Sequence, residues 1–125
     1  MTSIGKTVDS YLSSYNIGDV DGIVSLFADD ATLEDPVGSA PRVGKQAIRA
    51  FVTEAVGYKA QLDGPKCLLV AGNEAAFKFD VSFEDGAAEN SFQVIDTIRV
   101  NDQGLIVSLR AYLNLSDFPE ALLAQ

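Results

Sequence analysis

An acidic, turn-rich stretch lies near the end of the first third of the chain: Phe27-Ala28-Asp29-Asp30-Ala31-Thr32-Leu33-Glu34-Asp35-Pro36-Val37-Gly38. Its first residues continue an apolar helical pattern, so we predict a helix from Asp19 to Ala28 that ends at the polar pair Asp29-Asp30. Residues 32–35 favour extended backbone, and Pro36 ends this segment because proline cannot donate a backbone hydrogen bond. We therefore predict a helix, a short extended segment and a loop in direct succession.

Before this stretch, apolar side chains recur at the spacing of a helix. The stripe consists of Ile4, Val8, Tyr11, Leu12 and Tyr15. Thr2 or Ser3 can cap the helix and Gly18 can end it. The pattern predicts a first helix whose stripe faces the core. A tyrosine on such a stripe is usually a packing residue, and spacing alone gives Tyr11 that interpretation.

After the loop, which we extend to Gly44, the chain is predicted to form one more helix and then strands. The helix is predicted over Lys45–Val56 and the strands over Tyr58–Leu62, Lys66–Ala71, Glu74–Glu84, Asn90–Val100 and Leu105–Leu113. The run after Lys66 is continuously apolar, so we predict a strand buried on both faces. Cys67 is then a buried structural thiol rather than a nucleophile.

Helices followed by strands are typical of an α+β domain. The chain of 125 residues has the length of one domain, so we predict a single domain over residues 1–125. A turn is predicted at Asp85-Gly86, and the tail from Ser116 is predicted to be loosely held, with Leu115, Phe118 and Leu122 as anchors. We expect one curved sheet over the helices, with a pocket between them.

The composition excludes several classes of function. Nine basic and eighteen acidic residues give a net charge of −9, which disfavours nucleic acids and anionic lipid surfaces as partners. The absence of histidine excludes catalytic triads and metal sites that need it. The single cysteine excludes an intrachain disulfide and a thiolate cluster. No signal peptide or membrane span is evident, so we expect a cytoplasmic protein without a metal site.

One carboxyl group stands in an apolar row. In the strand over Asn90–Val100 the alternating face carries Phe92, Val94, Asp96, Ile98 and Val100. A buried carboxylate is too costly unless it is protonated, and a protonated acid is a hydrogen-bond donor. The alternative is that this face is half exposed, or that Arg110 or another cation reaches Asp96. The residues alone leave both interpretations open.

Asp35 ends the extended segment of the acidic stretch. Functional carboxylates favour such edges of loops. An Asp-Pro pair is also an ordinary turn signal, so the position alone does not decide between the two.

With these residues in view, the stretch 27–38 resembles the signature of the bacterial ketosteroid isomerases of the nuclear-transport-factor-2-like superfamily. Gly18-Asp19, Val94-Ile95-Asp96 and Ala111-Tyr112 also match in order and spacing. The resemblance runs from about residue 8 to 115. It implies a cone-shaped α+β fold, with three helices packed on a curved mixed sheet around an apolar pocket. It also implies a homodimer formed through the sheets.

The resemblance implies an activity that needs no cofactor. Ketosteroid isomerases move the double bond of a 3-oxosteroid from the 5,6 to the 4,5 position through an enolate. Asp35 takes the position of the general base, and Tyr11 takes that of the oxyanion donor. Asp96 takes the position of the protonated acid beside it, a known feature of these enzymes.

The same resemblance implies which residues contact a 3-oxosteroid substrate. The pocket positions are occupied here by Phe27, Val52, Phe79, Val94 and Leu113. Two of them depart from better-known relatives, in which tyrosines hydrogen-bonded to the oxyanion tyrosine stand at the positions of Val52, on the third helix, and Phe27. Leu113 stands where a tryptophan is expected, and Gln93 replaces a carboxylate found in some members.

Two other classes of function stay open. One is a polyketide cyclase or epoxide hydrolase of the same fold, since cyclases also use an acidic residue on an enolisable carbonyl. The other is a non-catalytic protein that binds an apolar ligand or a partner. Retention of both Tyr11 and Asp96 favours the isomerase.

Overall fold

The structure, a computed structural model, describes residues 3–83 and 91–114. Three helices and six strands lie within these residues. They are α1 Ile4–Asn16, α2 Val20–Val24, β1 Phe27–Glu34, β2 Arg42–Val43, α3 Lys45–Gly57, β3 Gln61–Ala71, β4 Glu74–Ser82, β5 Phe92–Val100 and β6 Ile106–Tyr112. The predicted α+β architecture is confirmed. The turn predicted at Asp85-Gly86 and the anchors Leu115, Phe118 and Leu122 lie outside the described residues.

All six strands form one mixed sheet in the order β2-β1-β6-β5-β4-β3. The β1–β6 pair is parallel and the other pairs are antiparallel. Helix α1 packs on β3 and β4 at one end of the sheet, and α3 packs on β1 and β2 at the other. The helices therefore cover one side of the sheet, and a cavity lies between the two layers.

Helix α1 forms as its apolar stripe predicts. Ser3 caps its start, because the Ser3 hydroxyl accepts a hydrogen bond from the backbone N–H of Lys6 at 3.2 Å. Gly18 follows its end with a φ of +71°, a conformation that glycine adopts without strain. Val8, Tyr11 and Leu12 are buried. None of the helices in the described part of the chain is long and apolar enough to cross a membrane.

The predicted second helix over Asp19–Ala28 is wrong in its second half. Helix α2 has only five residues, and Phe27 begins strand β1. This strand pairs in parallel with β6, with Phe27 opposite Ile106 and Thr32 opposite Ser108. The register shifts between these two pairs, so Asp29-Asp30 lie in an irregular part of a strand and do not mark a helix end. Pairing with a strand distant in sequence overrides the local helical pattern.

The predicted break at residues 63–65 and the burial of the following strand are also wrong. Strand β3 runs without interruption through a register shift between Asp63 and Cys67. Its outer residues are open to solvent, with Leu69 68% and Val70 51% exposed, and Cys67 is exposed rather than buried. The reason is position: β3 is an edge strand with a single neighbour, and α1 covers only one of its faces.

The alternating pattern of β4 and β5 is confirmed. Each strand turns one row of side chains toward the helices, and these rows are Ala75, Phe77, Phe79 and Val81 on β4 and Phe92, Val94, Asp96 and Ile98 on β5. The two rows lie side by side because β4 and β5 are antiparallel neighbours. Asp96 is the one residue with an ionisable side chain in these two rows.

Candidate active site

A cavity of about 420 Å³ opens between the helices and the sheet. Apolar side chains form most of its wall, among them Phe51, Ala55, Phe79, Val81, Val94 and Leu113. Polar side chains interrupt this wall at seven places: Tyr11, Tyr15, Asp35, Arg42, Glu54, Tyr58 and Asp96. A pocket that is mostly apolar, with a few convergent polar groups, is typical of a site for a small organic molecule.

Three elements bring Tyr11, Asp35 and Asp96 to this one cavity. Tyr11 comes from α1, Asp35 follows the last residue of β1, and Asp96 lies in the middle of β5. Sequence reasoning could name these residues, but their convergence depends on the packing of α1 and β1 against the sheet.

The five residues expected to contact the substrate fall into two groups in the structure, those that line the cavity and those that do not. Phe79, Val94 and Leu113 line the cavity. Phe27 and Val52 are fully buried in the core and are not among the lining residues. Phe27 lies behind the wall, where its ring contacts that of Tyr11 edge-on with centroids 6.4 Å apart. These two side chains therefore support the site from the core rather than face a ligand.

Asp96 is the most deeply buried acid of the site, with 2% of its surface exposed. Its Oδ1 atom has no hydrogen-bond partner. Arg110 does not reach it, since the guanidinium of Arg110 binds Glu34 with an Nε–Oε1 distance of 2.9 Å. Burial, and then the nearby charge of Asp35, raise the pKa of Asp96 well above its ordinary value. Burial therefore favours the neutral form of Asp96, which can donate a hydrogen bond into the cavity.

Asp35 lies beside the cavity in a different environment. Burial raises the pKa of its carboxyl from 3.8 to about 6, and the positive charge of Arg42 opposes this rise. Arg42 is held in place at two points. Its guanidinium lies over the ring of Phe51 at 4.5 Å, and its Nη1 atom donates to the backbone carbonyl of Asp35 at 3.4 Å. Asp35 is thus largely ionised at pH 7 but easily protonated, as a general base requires.

The backbone around Asp35 is fixed to strand β6. The carboxylate of Glu34 accepts hydrogen bonds from Arg110 Nε at 2.9 Å and from the backbone N–H of Gly38 at 2.7 Å. The N–H of Val37 donates to the carbonyl of Ala111 at 2.8 Å. These bonds hold the turn on both sides of Asp35, so the position of its carboxyl is set by the sheet.

Two tyrosines occupy the α1 side of the cavity. The rings of Tyr11 and Tyr15 contact each other edge-on, with centroids 5.1 Å apart. Burial raises the pKa of Tyr11 well above 10, so its hydroxyl stays protonated and can donate. Sequence reasoning treated Tyr15 only as a packing residue of the stripe. Its spacing of four residues from Tyr11, which places both on one helix face, was the available signal.

Arg42, Glu54 and Tyr58 are further polar lining residues that the sequence did not single out. Arg42 lies in the short strand β2 inside a region predicted to be a loop. The hydroxyl of Tyr58 is 3.5 Å from the carboxylate of Glu54. Within residues 3–83 and 91–114, no group of three acidic or cysteine side chains is placed to hold a metal ion.

The arrangement brings a base and two hydrogen-bond donors to the wall of one cavity. Asp35 can accept a proton from a carbon acid, while Tyr11 and protonated Asp96 can donate to an oxygen that becomes negative. Two donors aimed at such an oxygen inside a dry cavity stabilise it strongly. The site is therefore suited to removing a proton next to a carbonyl group.

The raised pKa of Asp35 predicts a pH-dependent stability. The folded protein binds this proton more tightly than the unfolded chain, so the contribution of Asp35 is fully present below about pH 4 and is lost as the pH rises through about 6. Wild type should therefore lose stability relative to Asp35→Asn over this window, and the difference should be constant above it. Urea unfolding of both proteins at pH 3.5 to 8 measures this. A difference that does not change with pH would contradict the raised pKa.

The family model of the SnoaL-like domain matches residues 8–109. The chain is also similar to a steroid Δ-isomerase from Nocardioides simplex, with 36% identity over 109 residues that make up 87% of this chain and 88% of the relative.

Two further similarities concern other chemistry. The epoxide hydrolase LasB of Streptomyces lasalocidi is 52% identical over 42 residues, which are 34% of this chain and 15% of that protein. The solved structure of SalBIII, an epoxide hydrolase/cyclase-like enzyme of pyran ring formation in polyether salinomycin, superposes with a TM-score of 0.81. It is 27% identical, and the match covers 91% of this chain and 92% of that one.

Proposed function

The chain belongs to the SnoaL-like domain family, and we propose that within this family it is a cofactor-independent steroid Δ-isomerase that converts 3-oxo-Δ5-steroids to 3-oxo-Δ4-steroids. The observation that carries the proposal is the convergence of Asp35, Tyr11 and Asp96 on one mostly apolar cavity. Burial raises the pKa of Asp35 to about 6 and that of Asp96 well above its ordinary value, and the Oδ1 atom of Asp96 has no hydrogen-bond partner. The similarity to a steroid Δ-isomerase over most of both chains supports the same assignment.

The proposed reaction is an intramolecular proton transfer. The carboxylate of Asp35 removes a proton from C4, and the electrons of the broken C–H bond move toward the C3 carbonyl to form a dienolate. Tyr11 and Asp96 donate hydrogen bonds to the oxygen at C3 while it is negative. Protonated Asp35 then returns the proton to C6, which leaves the double bond between C4 and C5. No atom or electron is gained or lost.

The energies of these interactions are sufficient for useful catalysis. A positioned general base contributes roughly 10²–10⁴-fold to the rate. Loss of one oxyanion donor typically costs about 2.7–4 kcal/mol. A steroid offers few polar groups, so the apolar wall that includes Phe79, Val94 and Leu113 fits its ring system.

We also propose that the protein forms a homodimer through its sheet. The residues Ile95 and Tyr112 are 44% and 41% exposed, and they are paired with each other on neighbouring strands β5 and β6. They therefore form an apolar patch that a second copy of the chain can cover. Sedimentation at micromolar concentration should give the mass of a dimer, and Ile95→Glu should shift it toward the monomer. A wild-type protein that sediments as a monomer would contradict the proposal.

Epoxide opening or cyclisation is the second candidate function. The local identity with LasB and the superposition on SalBIII favour it. In this reaction Asp96 or Tyr11 would protonate the epoxide oxygen, and Asp35 would take a proton from the attacking hydroxyl group or water. Both reactions thus need a base opposite a donor, so the geometry of the site alone does not separate them.

A substrate comparison tests the two candidates. Purified protein is mixed with 5-androstene-3,17-dione, and growth of the conjugated-enone absorbance is followed. In parallel, loss of an aryl-substituted epoxide is followed by chromatography. Rapid enone formation with slow epoxide loss supports the isomerase. Epoxide turnover without enone formation would assign the chain to the second candidate, and steroid binding without either reaction would point to a binding protein.

A further inference from the structure

Two polar side chains of the cavity wall, Glu54 and Tyr58, have no part in the proposed mechanism. Together with Phe51 and Ala55 they form one stripe along α3 and its cap residue, at the spacing that puts side chains on one helix face. Glu54 is exposed and Tyr58 is partly buried, whereas only 2% of Asp96 is exposed. The wall is therefore closer to solvent at Glu54 and Tyr58 than at the buried acid.

The strand register gives the length of the cavity. Asp96, Val94 and Phe92 all line it from strand β5. Consecutive residues of a strand are about 3.3 Å apart, so the four-residue step from Asp96 to Phe92 spans about 13 Å. On the neighbouring strand β4, Val81 is the partner of Phe92 and also lines the cavity. The cavity is thus elongated in the direction of β5, with Asp96 at one end and Phe92 toward the other.

Glu54 and Tyr58 belong to the end of the cavity that lies away from Asp96. Leu62 on β3 is the partner of Val81, and Val81 is the partner of Phe92, so all three lie at one level of the sheet. Leu62 lines the cavity, and Tyr58 precedes it by only four residues. The hydroxyl of Tyr58 is 3.5 Å from the carboxylate of Glu54. The two polar groups are therefore neighbours at this level.

The course of α3 agrees with this placement. Phe51 lies near the base, because its ring is 4.5 Å from the guanidinium of Arg42, which donates to the backbone carbonyl of Asp35. Tyr58 follows Phe51 by seven residues, which is about 10 Å along a helix axis. The cavity wall therefore leads from the base along α3 to the pair Glu54 and Tyr58.

A steroid in this cavity would have its two ends in different chemical surroundings. With its C3 oxygen at Tyr11 and Asp96, its four fused rings extend along the apolar wall and its C17 substituent reaches Glu54 and Tyr58. A carboxylate only accepts hydrogen bonds and can accept several, whereas a phenol hydroxyl both donates and accepts. A hydroxyl group on the ligand can pair with both. A ketone oxygen can only accept, so it would face the carboxylate without a proton between them.

We propose that Glu54 and Tyr58 form a subsite for a hydroxyl group at the far end of the ligand, and that Glu54 makes the protein prefer 17-hydroxysteroids to 17-oxosteroids. This inference rests on the proposed isomerase function, which sets the orientation of the ligand. The ligand hydroxyl donates to the carboxylate of Glu54 and accepts from the hydroxyl of Tyr58. The second bond is open to a 17-ketone as well, so Glu54 is the group that discriminates.

Equilibrium dialysis with two reaction products tests the preference without turnover. The pair 17β-hydroxy-4-androsten-3-one and 4-androstene-3,17-dione differs only at C17. Wild type should bind the hydroxysteroid about tenfold more tightly, because a hydrogen bond to a charged group is stronger than one between neutral groups. Glu54→Gln should bring the two affinities within about twofold, since an amide can pair with either oxygen. Tyr58→Phe should weaken binding of both steroids by about threefold and keep the preference.

Glu74→Gln is the matched control. It makes the same change at an exposed position at the start of β4, outside the cavity wall, and should keep the preference of wild type. Steady-state kinetics adds a second readout, since KM for 17β-hydroxy-5-androsten-3-one should be lower than KM for 5-androstene-3,17-dione in wild type and not in Glu54→Gln.

The subsite and the proposed reaction can fail separately. Equal affinities in wild type, or a preference that persists in Glu54→Gln, would overturn the subsite even if both steroids are isomerised. An equal loss of preference in Glu74→Gln would also overturn it, because the effect would then be one of overall charge. A preference lost in Glu54→Gln alone supports the subsite even if wild type isomerises neither steroid, and only the proposed reaction then fails. Absence of binding of both steroids would overturn both proposals.

Discussion

Asp35→Asn is expected to lower kcat for 5-androstene-3,17-dione by roughly 10²–10⁴-fold, with KM changed by less than about threefold. The amide has the shape of the carboxyl but cannot take a proton from C4 at neutral pH. The substrate still meets the same apolar wall, so its binding is largely retained. At pH 7 the ionised carboxylate of Asp35 is unfavourable in its buried position, and asparagine removes this charge. The variant should therefore be folded and at least as stable as wild type at pH 7.

The pH profile identifies the group that is lost. In wild type, kcat/KM should rise with pH, with its midpoint at about pH 6, and should then level off once Asp35 is ionised. The residual activity of Asp35→Asn should lack this limb. Asp30→Asn is the matched control, since it makes the same change at an exposed position of β1. Full activity in Asp35→Asn would exclude Asp35 as the base, and equal losses in both variants would indicate a general effect of charge.

The strand pattern shows why part of the site could be predicted from sequence. In β5 one residue in two faces the core, so an acid in that row stands out without knowledge of the partner strand. Asp96 is such a residue, and the structure confirms its burial. The sequence could not exclude that Arg110 reaches Asp96. The partner of Arg110 in the structure is Glu34 on β1, which lies 76 residues away in the sequence.

Other features depended on packing that local sequence does not contain. Strand β1 begins at Phe27 because β6 lies beside it, and this parallel pairing joins residues about eighty positions apart. The exposure of β3 follows from its place at the sheet edge, which its apolar run does not reveal. The same limit applies to Tyr15. An apolar stripe on a helix predicts that a side chain is buried, but it does not show whether that side chain packs in the core or lines a cavity.

Asp96→Leu is expected to lower kcat by roughly 10²–10³-fold and at the same time to raise the free energy of unfolding. In the proposed mechanism the protonated acid donates to the substrate oxygen, but in the free protein it is a buried polar group with an unpartnered Oδ1 atom. Leucine has a similar shape and removes this unfavourable group from a row of Phe92, Val94 and Ile98. Activity and stability should therefore move in opposite directions at this position.

Asp96→Asn tests the hydrogen-bond donor at this position separately from the shape of the side chain. Its amide N–H can still donate to the substrate oxygen, although more weakly than a carboxylic acid, so kcat should lie between those of wild type and Asp96→Leu. Steady-state kinetics at pH 7 and urea unfolding of all three proteins provide both measurements. If Asp96→Leu kept wild-type kcat, Asp96 would be a core residue without a role in the oxyanion hole. If it were inactive but also less stable than wild type, Asp96 would make a structural hydrogen bond, and loss of activity would follow from loss of fold.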